Sequence, residues 1–179
     1  MIRKLFKHEY PDVAKHLKRF NSDDRRLRFG CIASDSYIDD YVSGIHYSDA
    51  VFGIHDDDLN LVGSAHVGIQ NSVAELGLSV EQEHRGKGYG TLLLNKSIEH
   101  AKLMQANVFT SQCLNHNRWV LREMTKRGFH ITRDYDSAIA EAELSKPDLL
   151  MYQTNFINEN IALTLHNTKL WFKLLHLDK

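Results

Sequence analysis

Between Arg85 and Gly90 the chain reads Arg-Gly-Lys-Gly-Tyr-Gly, with glycine at alternate positions. An apolar run, Ala74 to Val80, leads into this segment, and the helix-patterned stretch Thr91 to Gln105 leaves it, with Leu92, Leu93, Ile98 and Leu103 recurring at helical spacing. Glycine takes up turns closed to other residues, and a helix start offers backbone N–H groups without acceptors, so strand, glycine loop and helix together form a cradle for an anion. Spacing decides which anion-binding loop this is. A dinucleotide fingerprint needs a last glycine where Thr91 stands, and a nucleoside-triphosphate loop needs Ser or Thr after Lys87, where Gly88 stands. What remains is R-x-x-G-x-G, carried by Arg85, Gly88 and Gly90.

The flanking chain alternates element types. Ile2 to Phe6 reads as a strand, Tyr10 to Phe20 as a helix opened by Pro11, and Asp23 to Leu27 and Asp35 to Val42 as short helices capped by Ser22 and Ser34. Asp49 to Ile54, Leu61 to Ile69 and Ala74 to Val80 form β-rich runs around the turns Asp56 to Asn60 and Asn71-Ser72, an antiparallel meander. Beyond the loop and its helix come a strand at Val108 to Leu114, a helix at Asn117 to Lys126 ended by Gly128, and a strand pair at Phe129 to Arg133 and Ser137 to Leu144. After Pro147 the apolar residues fit one or two packing helices. The chain thus divides into a domain at 1–146 and a helical extension at 147–179, which docks on the domain or meets a second copy.

Composition narrows the function classes. The 179 residues suffice for one self-sufficient core, and the formal net charge of -1 gives no reason to expect a nucleic acid partner. Cys31 and Cys113 lack metal or redox spacing and read as free thiols of a reducing cytosol. No apolar window reaches membrane-span length, and Met1 to Tyr10 lacks the apolar core of a signal peptide, so the expected location is the cytoplasm, with no membrane association. The 11 histidines contain no H-E-x-x-H pair, and Asp56, Asp58 and Asn60 mimic a calcium loop whose glycine position holds Leu61, so no metal is expected.

The loop, the strand Ala74-Glu75-Leu76-Gly77-Leu78-Ser79-Val80 before it, and Asn117 with Arg127-Gly128-Phe129 after it resemble the GNAT N-acetyltransferases from about Val51 to Leu144. The resemblance implies an α/β (α+β) fold with a mixed, mostly antiparallel sheet of six or seven strands flanked by helices, parting at its fourth and fifth strands. It implies acetyl-CoA as co-substrate and an amine as acceptor, with direct transfer in a ternary complex. Leu78, Ser79 and Val80 would pair with the pantetheine arm, and Arg85, Gly86, Lys87, Gly88, Tyr89, Gly90 and Thr91 would hold the pyrophosphate, with Asn117 also at the cofactor. An acyl-CoA-binding regulatory module with little turnover is the alternative, and a phosphate-binding structural protein a third.

An amine of pKa about 10.4 costs roughly 4 to 5 kcal/mol to deprotonate at pH 7. The family often places a carboxylate on the fourth strand for that task, and Glu75 is the acidic residue within Ala74 to Val80. The family's tyrosine acid falls at Met124, which has no proton to give. Tyr89, Cys113 and His116 remain candidates near the reacting centre, Tyr89 reading first as packing at the helix start. Asp23 to Phe29 could border the acceptor site.

Overall fold

The computed structural model describes residues 2–177, with side chains as far as Leu175. Its strands are β1 (Ile2–Lys4), β2 (Ala50–His55), β3 (Leu61–Gln70), β4 (Val73–Val80), β5 (Val108–Leu114), β6 (His130–Arg133) and β7 (Ser137–Glu143). The helices are α1 (Tyr10–Lys18), α2 (Ser22–Phe29), α3 (Asp35–Ser43), α4 (Tyr89–Leu103), α5 (Arg118–Lys126) and α6 (Leu149–Leu177). One sheet holds all seven strands in the order β1-β2-β3-β4-β5-β7-β6. Every pairing is antiparallel except β4 with β5.

Local chemistry fixes the connections. Asp56 accepts the Asn60 N–H at 2.7 Å to close the β2–β3 turn, and Asn71 and Ser72 take positive φ of 51° and 61° in the β3–β4 turn, the geometry that suits a two-residue hairpin. Ser34 caps α3 by accepting the Tyr37 N–H. At α2 the cap is Asn21, whose side chain accepts the Asp24 N–H, and Ser22 is the first helical residue. An amide oxygen caps as well as a hydroxyl, so the boundary lies one residue earlier than the serine suggests. Likewise α4 starts at Tyr89, directly on the loop, and turns Leu92 outward while Leu93 and Leu94 go to the core.

Helices cover both faces of the sheet. Val13, Leu17, Ile38 and Val42 from α1 and α3 pack with Leu5, Val51 and Leu61 on one face. Leu93, Leu94 and Ala101 of α4 pack with Phe52, Val67, Leu76 and Phe109 on the other, each fully buried leucine stabilising the fold by roughly 2 kcal/mol. The alanines of β7 follow the expected alternation, with Ala138 and Ala140 buried and Ile139 and Glu141 exposed.

After Pro147 there is a single helix of 29 residues. It meets the domain through polar side chains: Asn155 and Glu159 at Lys96, His166 accepting from Arg3, and Lys169 at Asp57. Among the described residues no helix is long and apolar enough to cross a membrane.

The feature that positions the site is the failure of β4 and β5 to stay together. They pair in parallel from Val73↔Val108 to Glu75↔Thr110 and then part. At the branch point the Leu76 carbonyl is taken by the Ser111 hydroxyl, 3.2 Å away. With a period of two, the backbone groups of Leu78 face the same gap.

Candidate functional site

The glycine loop lies at the upper end of this gap. A 3-10 turn at Gln82–His84 leads out of β4, and Arg85 folds back, donating from Nε to the Val80 carbonyl at 3.1 Å and pairing with Asp24 at 2.7 Å. Gly86 and Gly88 have φ of +76° and +82°, and a Cβ built on either would meet nothing within 4 Å. Positive φ excludes most side chains here, and the space a side chain would fill is open. The Leu92 N–H bonds the Gly88 carbonyl at 3.0 Å, so the amides ahead of it in α4 have no helical acceptor. Together they form a concave set of donors suited to a phosphate.

A cavity of about 500 Å³ opens in front of the loop, lined by Leu78, Ser79, Val80, Arg85, Gly86, Gly88, Tyr89, Gly90, Thr91 and Asn117 among others. Lys87 is exposed and does not line it. Asn117 caps α5 by accepting the Val120 N–H, and the Trp119 indole lies against Gly90, 2.7 Å from where a Cβ would sit. Tyr89 stacks on His84, with ring centroids 6.5 Å apart, and packs on the core, which leaves it a structural part at the helix start.

A buried clamp holds the strand end that feeds the loop. His16 of α1 is fully buried, with Nδ1 3.1 Å from the Leu61 carbonyl and 3.0 Å from Glu81, and Nε2 3.0 Å from the Ser79 hydroxyl. Both Nδ1 partners are acceptors, so Nδ1 carries the proton and Nε2 receives the Ser79 hydroxyl. Burial pushes this imidazole below its ordinary pKa, against the pull of Glu81. Arg19 donates to the same Glu81 carboxylate at 2.6 Å.

A second cavity, about 410 Å³, occupies the gap between β4 and β5. It adjoins the first, since Leu27, Arg28, Leu78, Asn117, Trp119 and Val120 line both. Glu75 stands exposed in it, on the same face of β4 as Gly77 and Ser79. Met124 is a member of the core that reaches the cavity wall. Cys113 also lines it but is buried beside Leu121 and Ala138, and burial pushes its thiol up, which suits packing better than nucleophilic chemistry. His116 is exposed and lines neither cavity, because β5 ends at Leu114 and the chain turns away before α5.

Across the cavity from β5 runs a chain of hydrogen bonds between residues that no sequence spacing connects. Arg28 Nη2 is 2.6 Å from the Tyr41 hydroxyl, that hydroxyl is 2.7 Å from Nδ1 of His66, and His66 Nε2 is 2.9 Å from Asp49. Donor logic gives it one direction: guanidinium to phenol oxygen, phenol O–H to Nδ1, Nε2–H to carboxylate. Burial pushes His66 below its ordinary pKa although Asp49 pulls the other way, which keeps Nδ1 an acceptor. The Asp23 to Phe29 segment borders this cavity, as its position between the first helices suggests, through Leu27, Arg28 and Phe29.

No curated protein matches the chain. Solved structures share its fold. The GNAT domain of S. lividans PAT superposes with a TM-score of 0.69 at 14% identity, covering 80% of this chain and 89% of that one. A putative acetyltransferase from Salmonella typhimurium, solved with its cofactor acetyl-CoA, gives 0.63 at 17% identity over 83% and 98%. Spermidine N-acetyltransferase from Vibrio cholerae, in complex with CoA and spermine, gives 0.65 at 18% identity over 82% and 96%. The acetyltransferase (GNAT) family matches residues 4–129, which takes in the parted strands, the glycine loop and both cavities' principal walls, and the chain therefore belongs to that family.

Proposed function

We propose that this protein transfers an acetyl group from acetyl-CoA to a primary amine, with both substrates bound at once. The observation that carries this reading is the meeting of two cavities at the parting of β4 and β5, one fronted by the glycine loop and the other holding Glu75. The amides of Arg85 to Gly90 would hold the pyrophosphate, and the free edge of β4 at Leu78 to Val80 the pantetheine arm. Spatial relatives are solved with acetyl-CoA and with CoA and spermine, which supports the cofactor and an amine acceptor.

When bound, acetyl-CoA supplies a thioester, and amine attack at its carbonyl forms the C–N bond as the C–S bond breaks. Glu75, directly or through a water, takes the proton that the nitrogen loses. Met124 offers no proton to the leaving sulfur, and a thiol of pKa about 8.5 departs readily as thiolate. Positioning in the ternary complex provides most of the remaining acceleration. Met124 is also the observation that favours the rival reading, a CoA-binding module without turnover.

A thermal shift with acetyl-CoA, CoA, NAD and ATP side by side tests the cofactor. Ligand at a hundred times its dissociation constant adds about 2.7 kcal/mol, or roughly 5 to 10 °C for a domain of this size. Acetyl-CoA and CoA should stabilise the wild type and not Gly88→Glu, whose side chain fills the cradle. Stabilisation by NAD or ATP instead, or by none of the four, removes the reading. Acetyl-CoA binding without CoA release on any amine would favour the rival.

A further inference from the structure

Arg28 is held as a fixed cation with no carboxylate paired to it among the described residues. Three arginines line the two cavities. Arg85 pairs with Asp24 and Arg122 lies 3.8 Å from Glu123, whereas Arg28 has no carboxylate partner among the described residues. Its guanidinium sits 4.9 Å from the Phe29 ring centroid and 5.1 Å from that of Tyr41. It also presses on β4 where residue 77 is glycine, and any Cβ there would overlap it. Of its five N–H donors, one makes a hydrogen bond among the described residues, to Tyr41. The Tyr41–His66–Asp49 chain behind that bond anchors the side chain without offering it a counter-ion.

A guanidinium in a cavity wall, packed against two aromatic rings and against β4 at Gly77 and with donors to spare, is a receptor for a carboxylate. Its companion is Glu75, two residues from Gly77 on the same face of β4 and therefore about 7 Å along the strand. The carboxylate and the guanidinium share one cavity and one face of β4, and present opposite charges to a small molecule there. We infer that the acceptor is a zwitterion, an amino acid or close analogue, whose amine faces Glu75 while its carboxylate is held by Arg28. This rests on the acyl-transfer reading above. It also disfavours a polyamine, which would bring like charge to Arg28 with no anion to offset it.

The test compares proteinogenic amino acids with their carboxamides and with spermine, reading CoA release and, for the same compounds, the melting temperature in the presence of CoA. An amino acid should be preferred over its carboxamide by about ten- to a hundredfold in kcat/KM, or should stabilise where the carboxamide does not. Arg28→Gln should erase that preference while changing acetyl-CoA affinity far less than acceptor selectivity, and Arg28→Lys should restore part of it. Carboxamides or spermine accepted as well as amino acids would overturn the inference, as would an Arg28→Gln variant that weakens acetyl-CoA and spares acceptor selectivity. Failure of acetyl-CoA to shift the wild-type melting temperature would instead remove the acyl-transfer reading, and this inference with it.

Discussion

The Tyr41 hydroxyl lies 2.7 Å from Nδ1 of His66, and this bond orients the one oxygen that accepts from Arg28 among the described residues. Tyr41 can give its proton to His66 only while Nδ1 is bare, and only then is its oxygen oriented toward the guanidinium. Removing the hydroxyl with Tyr41→Phe should raise KM for a carboxylate-bearing acceptor several-fold, with kcat nearly unchanged and acetyl-CoA affinity intact. The same bond sets a pH dependence. Because burial lowers the His66 pKa, the neutral form persists below the ordinary histidine range, and only at still lower pH does Nδ1 become a donor and release Tyr41. Wild-type KM should therefore rise on acidification while KM of Tyr41→Phe, already loosened, changes less. Initial rates against acceptor concentration at several pH values would show both effects. A Tyr41→Phe profile parallel to wild type would remove His66 from the argument.

Glu75 can be separated from this anchoring by its effect on rate. A general base contributes on the order of 10² to 10⁴-fold, so Glu75→Gln should lower kcat steeply at neutral pH. The loss should shrink as pH rises and solution supplies the deprotonated amine. An unchanged neutral-pH rate would exclude Glu75 as the base.

Much of this site was legible in the sequence because its parts are local. Gly86 and Gly88 advertise positive φ by residue type, and Glu75 is the acidic side chain on the one strand that matters. The Arg28–Tyr41–His66–Asp49 chain was not legible, since it joins α2, α3, β3 and the turn before β2, and no spacing rule connects residues so far apart. His116 lies outside both cavity linings for a related reason: the distance between a strand end and a cavity depends on where the chain turns. The fold was read nearly whole, as period-two and helical patterns make their own elements. Which way α6 faces could not be read, because periodicity reports that a helix has two sides and not which of them meets the domain.

Acid should destabilise the fold through buried histidines. His100 is held down to a pKa of about 4 by burial, with Lys4 and Lys96 adding to the effect. The unfolded chain then binds the proton more readily than the folded one, so stability is full above about pH 6.5 and falls as pH drops toward 4. For His100 alone the loss between pH 7 and pH 5 is about 2 kcal/mol. Burial also lowers His16, His55 and His66. His100→Leu, which keeps the apolar contact with Phe52, should narrow the gap between urea midpoints at the two pH values without closing it. An unchanged gap would mean that His100 does not titrate with folding.

Helix α6 is built with its polarity reversed. Asn155, Glu159, Ala162, His166 and Lys169, at helical spacing, face or contact the domain. Away from the domain, Ile157 at 56%, Ile161 at 49%, Trp171 at 66% and Leu175 at 61% are exposed on the opposite side, with Phe156 at 70% on one flank and Leu165 at 46% on the other. A helix of 29 residues runs about 43 Å, and these side chains present several hundred Å² of apolar surface, a patch of the size that marks an interaction site. Two copies laid antiparallel about a two-fold axis would each contribute roughly the area of one side of a standard interface, which favours a second copy of this chain as the cover. Sedimentation velocity should therefore find a dimer, and the double variant Phe156→Asp, Ile161→Asp a monomer with an unchanged melt of the domain core. A wild type that stays monomeric at high concentration would overturn this, and co-sedimentation of that monomer with lipid vesicles would assign the apolar face to a membrane surface instead.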